Sequence, residues 1–300
     1  MTEIYEKVEI IKSLINDCDC ILIGAGAGLS IAAGLDNKGL KFEERFKDFV
    51  DAYGIKDFYS GGFYPFKTKE EKWAFFARYF VTYLDHESTK LYENILKLVQ
   101  NKDYFIITTN VDGNFEKSGF NPDKIFEMQG DFISIQCPTP CHNKVYESID
   151  LFREMVKKTE NRKIPTELLP KCPKCGEIMR THLRENSAFV EDDRWHQQNK
   201  AYLNFIKKNK NKKMILLEMG VGFNTPTIIR FPFEEKTINN KKWNLIRFNK
   251  EYSGLIAHTT RGIDVINDWE IIKSLKLKND FQQRFIPISE DTNEIINKLL

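Results

Sequence analysis

The stretch "CILIGAGAGLSIAAGLD", residues 20–36, decides the fold. Its first half is an unbroken apolar run, the pattern of a strand buried on both faces. The glycines that follow open a tight turn into a small-residue, helix-like segment. Such a loop lets backbone approach a pyrophosphate and offers unpaired N–H groups at a helix start. Four more apolar runs end in polar loops: "YFIITTN" (104–110), "KIFEMQG" (124–130), "MILLEMGVG" (214–222) and "WNLIRFN" (243–249). Helical patterns such as "STKLYENILKLVQNK" (88–102) lie between them. Strands alternating with helices predict an α/β fold, a doubly wound, Rossmann-like parallel sheet of about six strands. Ligands of such sheets bind at the carboxyl ends of the strands, where the polar loops fall.

Two segments interrupt the alternation. Residues 41–87 are rich in aromatics and read as a helical insertion whose rings are core. Residues 137–205 hold four cysteines and several prolines and read as a small separate module. The expected division is therefore 1–136 with 206–300 as the larger domain, and 137–205 as the smaller. "CPTPC" supplies Cys137 and Cys141, and "CPKC" supplies Cys172 and Cys175. Two close cysteine pairs can complete one tetrahedral zinc site. His142 and His182 are neighbours that could also ligate, and a redox role for Cys172 and Cys175 is the weaker alternative. Cys18 and Cys20 flank the first strand and read as core.

Composition excludes several classes. Lys+Arg 45 against Asp+Glu 43 gives a net charge of +2, with no electrostatic case for nucleic acid. The one basic cluster, "KKNKNKK" (207–213), reads as a solvated helix end. No apolar run approaches the ~20 residues of a membrane span, and the amphipathic N-terminus lacks a signal-peptide core. The expected location is the cytoplasm, where thiols stay reduced. An acidic ribose anchor about 20 residues beyond the glycine loop is not evident, which disfavours a standard dehydrogenase.

The three loops and the cysteine module, in this order, resemble the sirtuin family of NAD-dependent enzymes over nearly the whole chain. "GAGLSIAAGLD" is similar to the family's G-A-G-I-S-x-x-x-G-I-P. The resemblance implies that Gly26, Ala27, Gly28 and Ser30 surround the NAD phosphates, with Asp36 also on the cofactor side. "TTNVD" is similar to T-Q-N-I-D, which implies Asn110 and Asp112 at the nicotinamide ribose and carboxamide. "EMGVG" stands in place of G-T-S and brings Gly220 and Gly222 to the cofactor. "LIRFN" implies Asn249 at the adenosine ribose.

"EMQGD" occupies the place of E-L-H-G, so Gln129 stands where deacylating sirtuins carry their histidine base. Glutamine donates and accepts hydrogen bonds but takes no proton at neutral pH. "NKG" follows "GLD" where most sirtuins carry D-F-R. "LRENSAFVEDD" keeps Leu183 and Arg184 of the family's L-R-P stretch but lacks the segment that pairs with a substrate peptide. These departures resemble class M sirtuins, bacterial enzymes associated with macrodomain proteins. That implies protein ADP-ribosyl transfer, with a lipoyl-carrying H-like protein as acceptor and Arg184 near substrate or cofactor. Competing readings are a deacylase drawing its base from His182 or His196, an NAD hydrolase without a protein acceptor, and an NAD-binding pseudoenzyme or sensor.

Overall fold

A computed structural model describes residues 2–259 and 262–300 of the chain. Its eleven described strands are β1 (Cys20–Ala25), β2 (Asp103–Thr108), β3 (Ile125–Glu127), β4 (Gly130–Gln136), β5 (Val145–Glu147), β6 (Arg180–Leu183), β7 (Met214–Met219), β8 (Trp243–Phe248), β9 (Leu255–Thr259), β10 (Gly262–Ile266) and β11 (Phe285–Ile288). Six form one sheet in the order β11-β8-β7-β1-β2-β3, every neighbouring pair parallel. The five runs expected as strands are all present, and β11 is the sixth. From β1 the chain winds outward to β2 and β3, then returns to add β7, β8 and β11 on the other side. The order reverses at β1, so a crevice opens between the carboxyl ends of β1 and β7.

The continuous apolar runs follow from burial on both faces. In β1, Ile21 and Ile23 join one core with Val8, Ile11, Leu91, Ile95 and Ile295. Cys20 and Leu22, pointing the opposite way, join a second core with Tyr202, Phe205, Phe233 and Ile272. The helices Thr2–Asp17, Lys90–Val99 and Thr292–Leu299 therefore cover the first face. Asp193–Asn209, Arg230–Asn239 and Trp269–Ser274 cover the second.

The aromatic insertion is helical, and most of its rings are wholly or partly buried, whereas Tyr59 and Phe63 are exposed. Four helices fill it: Phe42–Arg45, Lys47–Tyr53, Phe58–Gly62 and Lys69–Leu84. The longest starts at a capping box, in which Thr68 and Glu71 satisfy each other's backbone N–H groups. Phe42, Phe46, Phe49, Phe58 and Phe75 pack ring against ring inside. The small module contains a three-stranded antiparallel sheet, β5-β4-β6. Its helix, Ile149–Lys157, sets Phe152 against Trp73 and Phe80 of the insertion. Position 137 directly follows β4, whereas position 205 lies inside the unbroken helix Asp193–Asn209, which packs on the main sheet through Tyr202 and Phe205. Among the described residues no helix is long and apolar enough to cross a membrane.

Candidate active site

The glycine loop leaves β1 and meets the loop leaving β7 backbone to backbone. Gly26 N donates to Met219 O (3.0 Å) and Gly28 N to Gly220 O (2.9 Å). A Cβ on Gly26 would stand 2.8 Å from Gly220 O, and one on Gly28 would stand 2.8 Å from Gly220 Cα. Gly220 itself has φ +65, and a Cβ there would lie 2.1 Å from Leu29 N. The glycines are thus required first by this interlock of two loops. Gly222 differs, since a Cβ there would meet nothing within 4 Å. Asn249, just past β8, ties the same region together. Its Nδ2 donates to Val221 O (2.9 Å), and its Oδ1 accepts from Glu251 N and Tyr252 N. Asp36 accepts from Gly39 N (2.8 Å) and closes a turn beyond the loop.

Residues of the glycine loop and of "TTNVD" converge in one buried network. Ser30 Oγ donates to Asp112 Oδ2 (2.6 Å), and Asn110 Nδ2 donates to Gly26 O and Ser30 Oγ, both at 3.1 Å. Asp112 Oδ1 also accepts from Asn114 N (3.1 Å). A fourth member was not anticipated from the sequence: Tyr92, whose hydroxyl lies 3.1 Å from Ser30 Oγ. Burial, and then the charge of Asp112, push the Tyr92 phenol well above its usual range, so it stays protonated. One signal could have found it. Leu91, Tyr92, Ile95 and Val99 share the buried face of helix Lys90–Val99, and a hydroxyl on such a face needs a partner.

Gln129 lies in the turn between β3 and β4, half-buried, at the carboxyl edge of the sheet. Among the described residues its side-chain amide makes no hydrogen bond. The backbone around it is held on all sides. Met128 N donates to Thr108 O, and Glu127 N donates to Gln198 Oε1. Met128 O accepts from Arg184 Nε (3.2 Å) and Trp195 Nε1 (3.4 Å). Gln129 O accepts from Arg184 N (3.1 Å). The Arg184 guanidinium also donates to Glu191 Oε1 (2.7 Å) and lies 4.2 Å over the Phe189 ring. Arg184 is therefore beside the turn, with its guanidinium committed to protein groups.

The ionisable groups near the turn are likewise engaged. Glu127 is buried and pairs with Arg194 (3.0 Å). Burial, followed by the neighbouring Asp131 charge, pushes its carboxyl up to about 8. Glu127 lines a cavity of about 10 Å³ shared with Asn110 and Asp112. It also lines one of about 30 Å³ shared with Asp131 and His182. His182 donates from Nε2 to Val190 O (2.9 Å), and its ring stacks on Phe189 (4.5 Å). Its Nδ1 faces Asp131 at 3.8 Å. His196 is exposed and sits edge-on to Trp195. A hollow of about 600 Å³ lies at Asp103, Lys124 and Lys208, away from the strand ends that carry the motifs.

The four expected cysteines come together. The sulfurs of Cys137, Cys141, Cys172 and Cys175 all lie within 4.8 Å of one another. The Cys137–Cys175 and Cys141–Cys172 separations are both 3.6 Å. Zinc bonded to four thiolates at about 2.3 Å spaces them by about 3.8 Å, so the set fits a closed structural zinc site. His142 contacts Cys141 Sγ at 3.1 Å but donates or accepts at Tyr146 with its other nitrogen, outside the set. The cluster sits where β4 ends and before β6 begins, at the far end of the small sheet from Gln129.

Comparison with known proteins agrees with this architecture. A solved Sir2 homologue in complex with NAD superposes with a TM-score of 0.58 at 15% identity, covering 97% of this chain and 91% of that one. A Sir2 protein bound to an acetylated peptide gives 0.53 at 15% identity, covering 97% and 95%. A Staphylococcus aureus protein named "Protein ADP-ribosyltransferase" is 32% identical over 302 residues, which is 100% of this chain and 89% of that protein. A Fusarium oxysporum f. sp. cubense protein named "Probable bifunctional ADP-ribose hydrolase/ADP-ribosyltransferase" is 27% identical over 238 residues, or 76% of this chain and 40% of the larger fungal protein. The model described as "Sir2 family" matches residues 26–202, from the glycine loop through the cysteine cluster to the helix behind Gln129, and the chain belongs to that family.

Proposed function

We propose that this Sir2-family chain is an NAD-dependent protein mono-ADP-ribosyltransferase. The observation that carries the reading is the environment of Gln129. A residue that takes no proton stands at the histidine position, its amide without a partner among the described residues, while Glu127 is paired with Arg194 and His182 with Val190 O. Deacylation needs a base to activate the ribose hydroxyl in its second stage. Transfer needs only the first stage. The bond from ribose C1′ to nicotinamide breaks with its electrons leaving on nicotinamide, an acceptor lone pair forms the new bond to C1′, and the acceptor's proton passes to solvent. The name of the Staphylococcus aureus relative supports the same reading.

In this scheme Asn110 and Asp112, braced by Ser30 and Tyr92, orient the nicotinamide end. Gly26, Ala27, Gly28 and Ser30 take the pyrophosphate, and Gly220, Gly222 and Asn249 take the adenosine side, with Asp36 shaping the loop between. Gln129 orients a ribose hydroxyl or the acceptor. The cysteine set holds structural zinc. The acceptor proposed is a lipoyl-carrying H-like protein, in a bacterial cytoplasm. A functional link to a macrodomain protein is proposed on the resemblance of the motifs alone.

The test is to incubate the protein with labelled NAD and candidate acceptors, following acceptor mass, free nicotinamide and an acetylated peptide in parallel. Gain of one ADP-ribosyl group by an acceptor is expected. Nicotinamide release with no acceptor gain would indicate NAD hydrolysis. Binding without release would indicate a sensor. Deacetylation at a rate matching transfer would refute the proposal.

A further inference from the structure

Gln129 can orient a reacting group only if its own backbone is fixed, and that backbone is fixed from a segment more than fifty residues away in sequence. Three donors converge on two successive carbonyls: Arg184 Nε and Trp195 Nε1 on Met128 O, and Arg184 N on Gln129 O. Arg184 is itself locked. Glu191 takes its NH2 group at 2.7 Å, and its guanidinium is sandwiched near Phe189 (4.2 Å) and Trp195 (5.5 Å). The indole of Trp195 is seated edge-on against Phe126 of β3 at 5.1 Å, so the clamp is anchored to the main sheet. A charged donor shared between a carbonyl, a carboxylate and two rings has a strongly preferred orientation.

We propose that Arg184 and Trp195 are positioning residues that hold the Gln129 turn in its working geometry, and that Arg184 acts through Gln129 and does not touch the acceptor. The proposal rests on the transferase reading for its kinetic consequence, though the clamp itself does not depend on it. A residue that touched the acceptor would raise the acceptor KM when removed, and its loss would add to the loss of Gln129. A residue acting through Gln129 lowers kcat, leaves the KM for NAD near wild type, and has little further effect once Gln129 is gone.

The experiment is a double-mutant cycle with Arg184→Met and Gln129→Ala, with Arg184→Lys and Trp195→Phe as gentler variants. Trp195→Phe keeps an aromatic ring at Phe126 while removing the N–H together with half of the indole. Arg184→Met is expected to lower kcat for transfer about tenfold. Arg184→Lys should recover part of that, since lysine keeps one donor but lacks the planar fork. In the Gln129→Ala background the Arg184→Met change should cost less than about twofold. Amide exchange across residues 127–132, measured on the ligand-free protein, should quicken in both Arg184→Met and Trp195→Phe while the rest of the main sheet stays protected. Additive losses in the cycle, a raised acceptor KM, or unchanged exchange at the turn would each overturn the proposal. A wild type that transfers nothing to any acceptor, yet shows the exchange effect in the variants, would refute the transferase reading and leave the clamp standing.

Discussion

Gly28→Ala adds one methyl group at the place where the loops after β1 and β7 interlock. The new Cβ would lie 2.8 Å from Gly220 Cα, 2.9 Å from Gly220 O and 3.2 Å from Gly220 C. Carbon contacts settle at about 3.5–4.0 Å, so the backbones must part by roughly 0.7 Å or more. All three atoms are backbone, and Gly220 at φ +65 cannot swing aside as a side chain would. Parting also stretches the Gly28 N to Gly220 O hydrogen bond, now 2.9 Å. Overpacking of this kind costs about 1–3 kcal/mol and a lost hydrogen bond about 1 kcal/mol. Alanine returns up to ~1 kcal/mol through helix propensity within Ala27–Ala32. The net loss is about 1–3 kcal/mol, which lowers the melting temperature of a large domain by roughly 3–10 °C. Calorimetry of the ligand-free protein measures it. Gly222→Ala is the control. With nothing within 4 Å of the added Cβ, it should melt close to wild type, so any loss of NAD affinity there reports a ligand against that glycine. A Gly28→Ala protein melting within ~1 °C of wild type would refute the interlock.

Three further outcomes are expected. Tyr92→Phe removes a hydroxyl that Ser30 and Asn110 share, so it should lower transfer about three- to tenfold with a stability loss near 1 kcal/mol, read by steady-state kinetics and urea melts. Glu127→Gln tests the buried carboxyl. Its folded value, about 8, lies above the ordinary 4.5, so the neutral form is favoured on folding. That contribution is complete below pH 4.5 and fades as pH rises through about 8, so the wild type should lose stability across this window and Glu127→Gln should lose less of it. Melting temperature against pH decides, and parallel curves would refute the assignment. Cys172→Ser, or a strong chelator, should unfold the small module and lower soluble yield, because binding energy of a structural metal is folding energy. Metal analysis of fresh protein finding no zinc would remove that basis.

The central sheet was legible because β1, β2, β7 and β8 are nearly continuous apolar runs, as strands buried on both faces must be. The sixth strand, β11, was not. It is only "FIPI" and contains Pro287, a residue tolerated because β11 forms the sheet's edge. The cysteine cluster was legible because the spacing of ligands within each pair survives in sequence. The aromatic insertion read as core for its helix Lys69–Leu84, since "EKWAFFARYFVTYL" carries more large rings than one exposed face could hold, but Tyr59 and Phe63 lie exposed. The clamp on Gln129 was illegible for the opposite reason. Arg184, Trp195 and Gln198 reach residues 127–129 across the fold, and no local pattern links a distant guanidinium to a backbone carbonyl. Resemblance suggested Arg184 near substrate or cofactor; its partners within the chain are Met128 O, Glu191 and Phe189.

The charge distribution around the turn bears on which half of sirtuin chemistry the site suits. Departure of nicotinamide leaves positive charge developing on the ribose, which a nearby carboxylate stabilises. On the proposed reading Asp112 is that carboxylate; its oxygens accept from Ser30 Oγ and Asn114 N. The phenols of Tyr79, Tyr83 and Tyr92 are all pushed upward, first by burial and also by Asp112, so they stay neutral and add no competing negative charge. The cationic side chains nearest the turn lie against carboxyl groups, Arg184 against Glu191 and Arg194 against Glu116 and Glu127. Among the described residues the ionisable groups beside the turn are engaged with protein partners. Glu127 faces Arg194 and a cavity of about 10 Å³, room for no more than a water. His182 has its Nε2 proton on Val190 O and its Nδ1 turned toward Asp131, while His196 is exposed beyond Trp195. Replacing Gln129 alone by histidine would thus restore a proton acceptor at the turn without restoring the peptide-pairing segment that "SAFVEDD" has replaced. On the proposed reading the site cleaves the bond at C1′ and an external nucleophile captures the ribose, a step that asks the glutamine of the turn to hold a group in place and never to take its proton.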